Sequence, residues 1–160
     1  MSQVEKHLKW CLSDKSRLMK IKPDLELAKK HLKKSEYNYE VVQSLEKMGK
    51  RDWALNVGFY SIYHCFLAIL SKFGYESRNQ SCTMSVILSL IDEKKIGLDK
   101  DIVLQFDNLD IEKSAMSPTI RMDRELATYG VETSIDLKEL QKVKEMIVKV
   151  QRETIKILAE

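Results

Sequence analysis

Trp53-Ala54-Leu55-Asn56-Val57-Gly58-Phe59-Tyr60-Ser61-Ile62-Tyr63-His64-Cys65-Phe66-Leu67-Ala68-Ile69-Leu70-Ser71 runs without a formal charge. It is about long enough to span a bilayer, which takes roughly 20 apolar residues. Asn56, Tyr60, Tyr63 and His64 interrupt it, however, and no other segment resembles it. A helix that is apolar on every side is also what a soluble bundle places at its centre, covered by its neighbours. We therefore read a central helix over about 51–73, ended by Gly74, in a chain with no membrane segment.

Such a helix needs amphipathic partners, and the flanking sequence supplies them. Toward the N-terminus, Leu25, Ala28, Leu32, Ser35, Tyr39, Val42 and Leu45 recur at spacings of three and four, which predicts a long helix over 24–48. Asp24 is its expected N-cap and Gly49 its C-terminal stop. Lys29, Lys30, Lys33, Lys34 and Glu36 fall on the opposite, solvated face. Ile21-Lys22-Pro23 marks a boundary, because the residue before proline avoids the helical region. Ahead of it a short helix covers 3–12, with Val4, Leu8 and Cys11 or Leu12 inward.

Toward the C-terminus, 75–80 reads as a loop and Ser81 to Ile91 as a short buried helix. Asp99 can cap another helix, with Ile102, Val103, Phe106, Leu109 and Met116 inward and a break at Ser117-Pro118. A further turn covers 119–127, ended at Tyr129-Gly130. Thr133-Ser134-Ile135-Asp136 resembles a capping box. The last helix carries Leu140, Val143, Ile147, Val150, Thr154 and Leu158 in near-heptad spacing. The expected organisation is an N-terminal helical extension over 1–23 and an all-α, up-down bundle of four to five helices over 24–160.

Composition agrees with few, long helices. The chain has 160 residues, 44% of them hydrophobic and 32% charged, with only 5 glycines and 2 prolines to make turns. The net charge of +3 is carried by interspersed acids and bases, not by a basic tail. Cys11, Cys65 and Cys82 form no CxxC and are odd in number, so no disulfide scaffold and a reducing compartment are expected. Residues Met1 to Lys9 contain no apolar core of a signal peptide, and a cytoplasmic location follows.

The same survey removes most chemistries. His7, His31 and His64 lie far apart in the chain with no HxxxH or HExxH, so no metal site is expected. The glycines form neither GxGxxG nor a P-loop, and no cofactor is expected. His64 and Cys65 are adjacent and so point about 100° apart on a helix, which makes them no catalytic pair.

Two constellations remain. Asn56, Tyr60 and Tyr63 or His64 form a polar stripe on the central helix, which marks either an internal hydrogen-bond network or a lined groove. Arg121 and Arg124 stand one helical turn apart and reach one surface, with Tyr129 at the helix end. An arginine fork suits phosphate, and a tyrosine adds a hydroxyl and a stacking face for RNA or nucleotide. Solvent-exposed arginines beside a helix cap are the plainer alternative.

These residues resemble a known family. Phe59 to Gly74 resembles the YYAMFHAARALL…G signature of HEPN domains, with His64 and Gly74 in register. Arg124-Glu125-Leu126-Ala127-Thr128-Tyr129-Gly130 resembles their R-x-x-A-D-Y-G segment. The similarity extends over roughly 24–158. It implies a helical bundle, usually a homodimer, of a kind commonly encoded beside minimal nucleotidyltransferases in toxin–antitoxin or defence systems. Many HEPN proteins are metal-independent ribonucleases with an R-x(4–6)-H motif, in which the arginine holds the scissile phosphate and the histidine moves a proton.

This chain departs from that motif: Tyr129 stands where the histidine is expected, and Thr128 replaces the usual aspartate. A phenol with pKa near 10 is a poor base at neutral pH. Three functions are therefore carried forward. The first is a module binding RNA or nucleotide, or a nucleotidyltransferase partner, through Arg121, Arg124 and Tyr129, with Asn56 and Tyr60. The second is an endoribonuclease using Arg124 with Tyr129 or His64. The third is a structural dimerisation domain built on the last helix.

Overall fold

In the computed structural model, which describes residues 1–107 and 119–160, the element order is α1 (Gln3–Leu12), β1 (Leu18–Lys20), α2 (Leu25–Lys47), α3 (Arg51–Phe73), β2 (Tyr75–Ser77), α4 (Gln80–Asp92), α5 (Lys100–Phe106), α6 (Ile120–Tyr129) and α7 (Leu137–Ala159). The fold is an all-α bundle with one short two-stranded ribbon. The expected inward placement of Leu109 and Met116, and the break at Ser117-Pro118, lie outside the described residues.

Single residues fix the ends of the long helices. The Asp24 side chain accepts the Leu27 N–H at 2.9 Å and caps α2. Gly49 follows α2 with φ +74°, in the left-handed region that glycine enters without steric cost. Gly74 ends α3 with φ +86°, and a Cβ there would sit 2.7 Å from the Ile21 carbonyl oxygen. That close approach lets the Ile21 N–H donate to the Gly74 carbonyl at 2.9 Å and ties the N-terminal segment to the end of α3.

α3 is the centre of the bundle. It packs against α2, α7, α6 and α4, and 67% of its most apolar stretch is buried although its length and composition would allow a membrane crossing. Phe59, Phe66 and Phe106 are fully buried, each contributing about 1.5–3 kcal/mol by burial. Gly58 lies where α7 crosses: a Cβ there would be 2.8 Å from Val143 Cγ1. The near-heptad stripe of α7 is buried within the chain at Leu140, Val143, Ile147, Val150 and Thr154, against α3 and α2.

Several expectations are corrected. Residues 75–77 are not loop: β2 pairs antiparallel with β1 in the register Leu18↔Ser77, Met19↔Glu76, Lys20↔Tyr75. The cysteines are not all free. Cys11 and Cys82 form a disulfide across 71 residues, leaving Cys65 as the free, buried thiol. The physical reason is that α1 lies on α4 and brings the two Cα atoms to 5.7 Å, inside disulfide range. Val4, Cys11 and Leu18 join the one hydrophobic core, so residues 1–23 dock on the bundle. Leu25, expected inward, is exposed. The cap of α7 is Asp136, which accepts the Lys138 N–H at 2.9 Å, and no Thr133 box forms. Thr119 caps α6 by accepting the Met122 N–H at 3.2 Å, and that helix runs on to Tyr129.

Candidate functional site: the α3–α6 interface

The inner face of α6 is built from Ile120, Arg124 and Ala127, spaced four and three. Arg124 thus sits in the stripe that packs against α3, and its side chain is only 12% exposed. Its guanidinium lies 4.6 Å from the Phe59 ring centroid and 5.6 Å from that of Tyr60, a cation–π arrangement that favours charge over an aromatic face. Phe59 in turn stacks on Phe106 at 4.7 Å. Arg124 Nε is buried and has no hydrogen-bond partner among the described residues, and the same holds for Asn56 Oδ1 on α3. An unpartnered buried donor or acceptor costs about 1–3 kcal/mol each unless water or a ligand meets it.

Arg121, one turn earlier, is anchored. Its Nε donates to Asp107 Oδ1 at 2.7 Å and its Nη1 to Glu125 Oε1 at 2.9 Å. Asp107 is buried and also accepts from Gln80 Nε2 at 2.8 Å. The hydrogen bond it donates to Asp107 is the main reason Arg121 holds its proton even more firmly than usual. Arg124 Nη2 lies 3.7 Å from the same Glu125 Oε1. The two arginines therefore converge on one carboxylate oxygen, as their spacing predicts.

The other expected partners are elsewhere. Tyr129 is five positions beyond Arg124, about 140° around the helix, and is 79% exposed. The Thr128 hydroxyl donates back to the Arg124 carbonyl at 2.8 Å. The polar stripe of α3 fans out to different neighbours: Tyr63 pairs with Thr83 on α4 at 3.0 Å, and His64 faces His31 on α2 at 3.0 Å, Nδ1 to Nδ1. Tyr60 remains half exposed beside Arg124.

The His31–His64 pair is a feature that linear spacing missed. The ring centroids are 5.2 Å apart, longer than the Nδ1 separation by about the two ring radii, so the nitrogens meet head-on. That alignment suits one shared proton in an N–H···N bond; a chelated metal would need the two lone pairs to converge at an angle. Burial, followed by the charges of His31 and Lys34, pushes His64 down to about 4. Burial also lowers His31. Both rings are therefore neutral at neutral pH, and no hydrogen bond joins His64 to Arg124 among the described residues.

Cys65 is pushed up to about 11 by burial and is hydrogen-bonded to Ser35 at 3.2 Å, which leaves it without thiolate character at neutral pH. Among the described residues no three His, Cys, Asp or Glu side chains converge as metal ligands. The chain matches no protein-family model and no curated protein.

Proposed function

We propose that the chain is a non-catalytic binding module of HEPN type that takes a phosphate group of RNA or a nucleotide at Arg121 and Arg124, with Tyr60 beside Arg124 and Asn56 one turn before Tyr60 on α3. The observation that carries this reading is the convergence of both arginines on a single oxygen of Glu125. A half-exposed carboxylate holds the place that a phosphate oxygen would take, in a geometry to which guanidinium groups are suited. The unpartnered Arg124 Nε and Asn56 Oδ1 offer a donor and an acceptor, and the Tyr60 ring offers a stacking face. The non-catalytic part of the reading is supported by position: Tyr129 is turned away from Arg124, and His64 faces His31. On this reading the module works as a homodimer beside a minimal nucleotidyltransferase in a toxin–antitoxin or defence system.

The test is fluorescence anisotropy with a labelled single-stranded RNA and with ATP at low salt, where phosphate contacts weigh most. Arg124→Ala is expected to weaken binding at least tenfold. Glu125→Gln, which removes the internal competitor, is expected to strengthen it severalfold, and the RNA is expected to stay intact in EDTA. Binding unchanged in both variants overturns the proposal. Cleavage in EDTA that Arg124→Ala abolishes would make the protein a ribonuclease instead.

A further inference from the structure

α6 has a second stripe on its outer side. Met122, Leu126 and Tyr129 recur at spacings of four and three and are 43%, 73% and 79% exposed, and Val131 just beyond the helix is 94% exposed. Single exposed apolar residues are ordinary on a protein surface. Two of these, Leu126 and Val131, line a cavity of about 570 Å³ between the end of α6 and the start of α7, a volume in the range of clefts that hold ligands, about 300–1,000 Å³.

The cavity joins an apolar wall to an acidic rim. Leu126 and Val131 line it together with Asp123, Glu132, Asp136 and Glu139. Burial raises the carboxyl pKa of Asp123. Burial raises Glu139 too, followed by the charges of Asp123 and Asp136. The carboxylates thus crowd one another, and the charge opposing both shifts comes from Lys142.

We infer that this acid-rimmed apolar face is a docking surface for a basic amphipathic segment of a partner protein, with its apolar side chains on Leu126 and Val131 and its lysines or arginines against Asp123, Glu132 and Glu139. Charge selects this occupant. A second copy presenting the same face would set carboxylate against carboxylate, and RNA or an anionic bilayer would meet the same repulsion. Neither Arg121 nor Arg124 lines the cavity, so the inference does not depend on the phosphate-binding proposal.

The experiment uses a labelled helical peptide of leucine and lysine in amphipathic order, a leucine–glutamate counterpart, and a scrambled leucine–lysine peptide, each titrated with the full chain. The ordered basic peptide is expected to bind with micromolar Kd. Binding is expected to fall at least tenfold in the double variant Leu126→Ser/Val131→Ser and again in Asp123→Asn/Glu139→Gln. The acidic and scrambled peptides are expected to bind at least tenfold more weakly than the ordered basic one. Both serine positions are on the surface, so the far-UV circular dichroism should not change; the carboxamide variant decides the matter independently if it does. Equal binding of the acidic or scrambled peptide, or unchanged binding in both double variants, overturns the inference. So does a dimer in light scattering that Leu126→Ser/Val131→Ser dissociates, because the face would then belong to a second copy.

Discussion

α3 and α6 are in contact, and they use polar residues in opposite ways. α3 is covered by four other helices, and most of its interior polar groups find partners on its neighbours: Ser61 donates to the Ser35 carbonyl, Tyr63 meets Thr83, and His64 meets His31, with Asn56 Oδ1 the exception. Among the described residues α6 packs mainly on α3, with a smaller contact to α5. It carries an arginine on its inner side and its most exposed apolar residues on its outer side. The difference shows that an apolar pattern reports burial only when enough neighbours surround the helix. Where they do not, the exposed apolar residues are free for something outside the chain.

Substitutions can break or sharpen that contrast. The largest effect is expected in α3: Phe59→Ala removes a fully buried ring stacked on Phe106 and should cost about 3–5 kcal/mol in urea unfolding. A loss below about 1 kcal/mol would mean that α3 is not the centre of the core.

An intermediate effect is expected from the histidine pair. The folded-state pKa of His64 is depressed from the usual 6.5 to about 4, so the unfolded chain binds the proton more readily. The stabilisation from the neutral ring is therefore complete above about 6.5 and is lost as pH falls toward 4. Because the ring is only half buried, the drop over that window is discounted for solvent screening to about 1–2 kcal/mol. Urea midpoints measured across the window should fall in the wild type and fall less in His64→Asn. Parallel curves for the two proteins would refute the pairing.

The smallest effect is expected outside: Leu126→Ala should change stability by no more than about 0.5 kcal/mol. A larger loss would show that the outer stripe of α6 is already covered.

Much of the fold was legible in the sequence because its signals are local. The charge-free run, the Asp24 cap, Gly49 and Gly74 place α2 and α3 within a residue of where they lie. A few local details were misread, such as Leu25, which is exposed, and the cap of α7, which is Asp136, but the larger missed features join distant positions. β1 and β2 are three-residue strands too short to show alternation, and the two long helices α2 and α3 lie between Leu18 and Ser77 in the chain. Cys11 and Cys82, and His31 and His64, are likewise far apart in the chain. At the candidate site, the one-turn spacing of Arg121 and Arg124 predicted their convergence. Asp107 and Gln80, which anchor Arg121, come from outside α6 and left no trace in that spacing. The inward turn of Arg124 was readable in principle, since Ile120, Arg124 and Ala127 follow helical spacing, but a charged member in an apolar stripe is easily passed over.

The Cys11–Cys82 bond gives the molecule a covalent ring that contains β1, α2, α3 and β2. A protease that cuts once anywhere between those two cysteines does not release a fragment. The nicked protein keeps its mass on a denaturing gel and separates into two pieces only when a reductant is added.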